Sequence, residues 1–186
     1  MSRRHIDINR IIRYMTAVLL TMAAILALLA AFAPPAGAAD RNGPPLNQSA
    51  PAFSLLDTHG QSHALSDYRG QIVVLNFWAF WCDTWKAELP SLRELATKQE
   101  DQGFTIAAAS VDGTRYPEFQ RLTHDSLPFP VMMDVGGKVS QLYQIGHVPT
   151  VVIIDAAGVV RYTHYGYPGN DAVLSAVRKI GSHSTR

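Results

Sequence analysis

"NFWAFWCDTWKAELP", Asn76 to Pro90, holds the only cysteine of the chain, Cys82, and its two flanks decide the fold. On the N-terminal side "IVVLNFW", Ile72 to Trp78, is an unbroken β-branched and aromatic run of strand length. Such a run fits a central strand covered on both faces. On the other side "TWKAELPSLRELATKQEDQG" has helix-forming composition, with apolar positions at Leu89, Leu92, Leu95 and Ala96 and a terminating Gly103. Pro90 lies inside that helix and predicts a kink. A strand, a tight loop and a helix place Cys82 at or just before a first helical turn. Free N–H groups and the helix dipole favour an anion there, so Cys82 is read as a reactive thiol in preference to an inert, buried one.

Upstream, "FSLLDTHGQSHALSDYRG" gives two short half-apolar runs around a His-Gly turn, a hairpin followed by a loop that Gly70 closes. Before it, residues 40–51, "DRNGPPLNQSAP", offer almost nothing apolar to bury and read as a linker. Downstream, "FTIAAASVD" is a second buried strand, "YPEFQRLTHD" a short helix, "FPVMMD" a brief edge strand and "GGKVSQLYQIG" a helix. "TVVIIDAAGVVRYTHYG" is an antiparallel hairpin, and "NDAVLSAVRKIG" a closing helix with Asn170 as its N-cap. The order β-α-β-α-β-β-α predicts an α/β fold, a central mixed β-sheet with helices on both faces and an N-terminal β-hairpin extension.

The N-terminus is a separate matter. Arg3, Arg4, Arg10 and Arg13 precede an uncharged apolar run, Tyr14 to Ala33, and "PPAGAAD" then offers an A-x-A cleavage pattern at Ala36 and Ala38. Residues 1–39 therefore read as a signal peptide or an N-terminal membrane anchor, two alternatives that both deliver the remainder across the membrane. The expected location is extracytoplasmic, or periplasmic, with the membrane touched only through this segment. The organisation is then 1–39, a linker at 40–51, a domain at 52–181 and a tail at 182–186.

The chain has 186 residues, 47% hydrophobic, which suffices for one domain with a real core. Sixteen Lys and Arg face fifteen Asp and Glu. They form no basic stripe, which argues against nucleic-acid binding. One cysteine cannot close a disulfide within the chain, so the thiol is a bystander, an intermolecular link or a reagent.

These residues resemble a known family. "DYRGQIVVLNFWAFWCDTWKAELPSL", with "GHVPT" and "VVIIDAAGVV" some way on, is similar to the membrane-associated thiol–disulfide oxidoreductases of the thioredoxin superfamily. That is the TlpA/ResA-like branch with a redoxin domain, which serves cytochrome c maturation. The resemblance runs from about Ala50 to Ile180 and implies a thioredoxin-like fold. It also implies a cis proline at Pro149 packed against the active-site sulfur, a Val148 backbone that pairs with an extended substrate segment beside Thr150, and at Glu88 an acid that exchanges protons during the reaction. No cofactor is implied. The departure is at Trp85, where the family carries its second, resolving cysteine. Its bulk is expected to cap or crowd the substrate groove, which Trp81 and Trp85 would line as substrate-binding residues.

Four roles remain for a site with one sulfur. The first is monothiol exchange with exported protein thiols or disulfides, or with a small thiol, a second thiol from outside releasing the adduct. The second is a redox-inactive module that binds exported polypeptides through Trp78, Phe80, Trp81 and Trp85. A one-cysteine peroxidase is third, weakened because Ala79 and Leu75 stand where the related P-x-x-x-T-x-x-C loop has Thr and Pro. The fourth is soft-metal binding by Cys82, His147 and Met132 or Met133; no metal site is expected ahead of the other roles.

Overall fold

All seven residues of strand β3 (Ile72–Trp78) are buried, and the rest of the domain is arranged about them. The computed structural model describes residues 8–31, 43–113 and 127–184. The chain divides into two units, Met1–Ala39 and Asp40–Arg186. In the first, helix α1 spans Ile8–Ala31. Among the described residues no helix is long and apolar enough to cross a membrane.

In the second unit β3 pairs in parallel with β4 (Phe104–Ser110) on one side and antiparallel with β6 (Thr150–Ile154) on the other. Strand β5 (Val131–Met133) extends the sheet beyond β4, and β7 (Val160–Tyr165) extends it beyond β6, giving the order β5-β4-β3-β6-β7. The sheet is mixed, as expected, and "FPVMMD" does supply an edge strand. A separate hairpin of β1 (Ser54–Leu56) and β2 (Ser62–Ala64) precedes it.

The period of two in β3 sorts its side chains into two core layers. Ile72, Val74 and Trp78 face one layer with Ile106, Val151 and Ile153. Helix α2 (Asp83–Ala96) covers it through Leu92, Leu95 and Ala96, and helix α5 (Asn170–Ser184) through Val173, Leu174 and Val177. Val73, Leu75 and Phe77 face the opposite layer, which Val139 and Tyr143 close from the short helix α4 (Lys138–Leu142) and its C-cap, together with Phe53, Leu65 and Tyr68. Helices thus lie on both faces of the sheet.

The stretch expected to form one long helix is divided. Helix α2 runs through Pro90 and ends at Ala96, and α3 (Gln99–Gln102) follows as a separate turn. Pro90 removes one N–H from the ladder, that which would reach the Lys86 carbonyl. Gly103 terminates α3 in the left-handed conformation at φ 66°, where a side chain would be strained. Asn170 is the first residue of α5 rather than its cap, and its Oδ1 accepts the Tyr167 hydroxyl instead. The helix expected over "YPEFQRLTHD" lies outside the described residues.

Residues 43–50 have few apolar side chains to bury and are held by their main chain. Asn47 N–H donates to Val160 O at 2.8 Å, Val160 N–H to Gln48 O at 2.9 Å, and Ala50 N–H to Gly158 O at 2.9 Å. The β6–β7 connection beside them is organised by one carboxylate. Asp155 accepts the Ala157 and Val159 N–H groups at 3.0 and 2.9 Å and Arg161 Nε at 2.7 Å. Arg161 Nη1 then donates to Asn47 Oδ1 at 2.8 Å. Burial by itself would raise the Asp155 carboxyl, but these donors together outweigh it and hold the group below the usual carboxylate range.

A carboxyl lowered on folding stabilises the protein above its unfolded value, and that contribution is lost as pH falls through the lowered one. Asp155→Ala is expected to cost about 1–3 kcal/mol at neutral pH, the range for stranding buried donors. Urea unfolding of the two proteins should show the gap closing in acid. A gap that stays constant with pH would mean that the carboxylate charge is not what holds the turn.

Candidate active site

Cys82 is the N-cap of α2, with extended backbone at φ −90° and ψ 108°. The loop that delivers it is fixed from the neighbouring strand. Phe80 N–H donates to Asp112 Oδ2 at 2.9 Å, Asp112 Oδ1 takes the Ser110 hydroxyl, and Val111 N–H donates to Trp78 O at 2.9 Å. The end of β4 therefore sets the path of "AFWC", and Asp112 is a site-positioning residue that no local sequence signal marks. Two polar groups hydrogen-bond the sulfur among the described residues: the Thr84 hydroxyl at 2.9 Å and the Val148 carbonyl at 3.5 Å. Thr84 was also unassigned from sequence; its place two residues after the thiol, at the start of a helix, was the available signal.

The Val148–Pro149 peptide is cis. The sulfur lies against this loop at the Val148 carbonyl, and the buried Pro149 follows directly. Thr150 does not join them: it is fully buried, and its hydroxyl donates to the His147 carbonyl at 2.7 Å. It shapes the loop from beneath and has no open face for a substrate.

Trp85 is likewise corrected. Its ring does not crowd a groove; it is only 6% exposed and packs in the core at 4.3 Å from Trp78 and 5.6 Å from Phe80, centroid to centroid. Position 85 is one helical turn after an N-cap whose next turn faces the sheet, and a large aromatic there gains more by burial than by exposure. Trp78 and Phe80 are buried too. Of the four aromatic residues expected to form a contact surface, only Trp81 is one, at 61% exposure.

Glu88 follows Trp85 on α2 and is half-buried, with Oε2 enclosed and without a hydrogen-bond partner. Burial raises its carboxyl above the ordinary range, opposed in part by the Tyr167 backbone N–H. Tyr167 is pushed up in turn, by burial first and then by the Glu88 and Glu94 charges. The raised carboxyl is shifted in the direction that a proton-exchanging acid needs, and Glu88 forms no direct bond to Cys82.

Of the soft-metal candidates, Met132 is fully buried in the sheet layer opposite the one that Cys82 packs on, whereas Met133 packs on the same layer as Cys82; the exposed His147 ring lies edge-on to Tyr165 at 4.9 Å. Among the described residues no three His, Cys, Asp or Glu side chains are grouped to hold a metal. A cavity of about 600 Å³, lined by Asn47, Asp155, Arg161, Tyr162 and Lys179, lies at the far end of β6 from Thr150, remote from the thiol.

Comparison with known proteins agrees with this geometry. Residues 46–163 match the AhpC/TSA family. The thiol-disulfide oxidoreductase ResA of Oceanobacillus iheyensis is 43% identical over 96 residues, 52% of this chain and half the length of that protein. A ResA of Bacillus cereus is 34% identical over 142 residues, 76% of this chain and 82% of that protein. Among solved structures, the exposed lipoprotein thioredoxin Etrx1 of Streptococcus pneumoniae superposes with a TM-score of 0.62 at 30% identity, covering 69% of this chain and 99% of that one. A putative thiol:disulfide interchange protein DsbE from Chlorobium tepidum gives 0.64 at 28%, covering 72% and 99%. The fold and site therefore define a thioredoxin-fold protein of the thiol–disulfide oxidoreductase type. The chain belongs to the AhpC/TSA family, in its TlpA/ResA-like branch.

Two outcomes follow for α2. Trp85→Cys, which rebuilds the spacing of two cysteines, is expected to cost about 3–5 kcal/mol, because it empties a packed aromatic site; denaturant unfolding measures it. A loss under about 1 kcal/mol, read with the precision such extrapolations allow, would contradict the burial of the ring. For Glu88, a carboxyl raised on folding contributes stability that is fully present below the ordinary carboxylate value and lost as pH rises through the raised one. Glu88→Gln should accordingly be more stable than the native protein at neutral pH and lose that advantage in acid, read from melting curves across the range.

Proposed function

We propose that the protein carries out thiol–disulfide exchange through Cys82 alone, outside the cytoplasm. The observation that carries this is the placement of the sulfur: partly accessible, at the N-cap of α2, against the Val148 carbonyl beside Pro149, with a buried indole at position 85 where a resolving thiol would stand. Cys82 attacks a substrate disulfide and becomes the mixed disulfide, and an external thiol completes the cycle. Exposed Trp81 and the half-buried Val148 would bind the substrate segment on either side of the sulfur, Glu88 supplying or taking up the proton. The arginine-flanked apolar run at the N-terminus supports export with or without retention as an anchor, and the family supports a place in extracytoplasmic redox homeostasis or cytochrome c maturation. Peroxidase chemistry fits less well, since Leu75 and Ala79 stand where the peroxidase loop carries Pro and Thr.

The exposed Trp81 favours one alternative, a redox-inactive module that holds exported polypeptides. A disulfide-containing peptide bearing a chromogenic leaving thiol separates the two. Exchange predicts release of one leaving group per chain and a covalent adduct on Cys82, then a halt until a monothiol is added; Cys82→Ser should release none. Peptide retained by Cys82→Ser and under reducing agent, without leaving-group release by the native protein, would assign the protein to the binding class.

A further inference from the structure

The two polar groups that hydrogen-bond the sulfur respond in opposite ways to its ionisation. The Val148 carbonyl can only accept a hydrogen bond, so at 3.5 Å it suits the thiol, and its oxygen repels a thiolate. The Thr84 hydroxyl, at 2.9 Å, can rotate to donate. Helix α2 does not provide a substitute: although Cys82 is its N-cap, the side chain makes no capping bond to an N–H of the first turn. Among the described residues, then, the hydrogen-bond donor in contact with Sγ is Thr84.

We propose that Thr84 is the residue that stabilises the negative charge on Cys82 Sγ during exchange. The inference rests on the exchange reading above and assigns a second residue to that site. In the first step the Cys82 thiolate attacks R–S–S–R′; the Cys82–S–S–R bond forms, the S–S bond of the substrate breaks, and R′S⁻ leaves with the electron pair. In the second an external thiolate R″S⁻ attacks the R sulfur, R–S–S–R″ forms, and the pair returns to Cys82 Sγ. Substrate disulfide is consumed and product disulfide formed one for one, so Cys82 ends as it began. Its sulfur carries full charge before the first step and after the second, and the Thr84 O–H bond is made to that charge at both points. With no neighbouring cysteine to displace it internally, Cys82 must be a good leaving group toward whatever thiol arrives, and a donor on its sulfur promotes that departure.

The test uses the full chain and needs no disulfide partner. The thiolate fraction at neutral pH is read from ultraviolet thiolate absorbance, with Cys82→Ser as the blank, in the native protein, Thr84→Val and Thr84→Ser. A charge-assisted hydrogen bond predicts that Thr84→Val, nearly the same shape without the hydroxyl, lowers the thiolate fraction about ten-fold. Thr84→Ser, which keeps the hydroxyl, should stay within about two-fold of the native value, the cost of a freer rotamer. An unchanged fraction in Thr84→Val, or an equal fall in both variants, would overturn the proposal. Because the absorbance reports ionisation alone, a failure to form the peptide adduct would count against exchange and not against the role of Thr84.

Discussion

The indole of Trp85 lies against that of Trp78 at 4.3 Å, and this contact joins the central strand to the helix that begins at the thiol. Trp78 is the last residue of β3 and Trp85 lies in the first turn of α2, so only a short loop separates the two rings in sequence. Fixing both leaves that loop little freedom. Phe80 closes the cluster from within the loop, which turns Trp81 and Cys82 toward solvent. Such aromatic pairs add about 0.5–1.5 kcal/mol each beyond their burial. The exposure of the thiol and the burial of its neighbours are in this sense one fact.

The same contact explains why position 85 is a core position. Trp85 Nε1 and Asn76 Oδ1 are both buried without hydrogen-bond partners, and the two residues line one small cavity beneath α2. An unpartnered polar atom costs about 1–3 kcal/mol, so the indole is not held there by its N–H. Ring packing holds it, and that packing excludes a second sulfur. Under the proposed exchange, a site so built would form a mixed disulfide with no internal thiol to open it, and chemistry in two molecular encounters would replace chemistry within one.

How much of this was legible beforehand depends on the range of the interaction. The strand Ile72–Trp78, the hairpin at Thr150–Tyr165 and the edge strand at Val131 could be read because apolar periodicity and turn residues are local. The direction of Trp85 could not, since i and i+3 on a helix start share a face but nothing in the sequence says whether that face meets the sheet or the solvent. Thr150 differs from Val148 because it is the first residue of β6 and pairs with Phe77 of the central strand, so the sheet buries it although Val148 lies at the sulfur. Asp112 was invisible because its bond to Phe80 joins residues 32 apart. Residues 43–50 looked like a free tether because main-chain pairing leaves no mark in side-chain composition.

The thiol has an unusual balance of supports. Thiolates at helix starts are commonly attributed to the helix dipole and its free N–H groups, and the sequence invites that account here. In the folded chain the sulfur is at the right residue but makes no such bond, and it rests between an acceptor and a hydroxyl. The dipole acts over the whole first turn and does not distinguish one rotamer of Cys82 from another. A hydroxyl at 2.9 Å does. It holds the sulfur where the Val148 carbonyl is also within reach. Charge and aim are therefore supplied by the same side chain, two residues beyond the thiol.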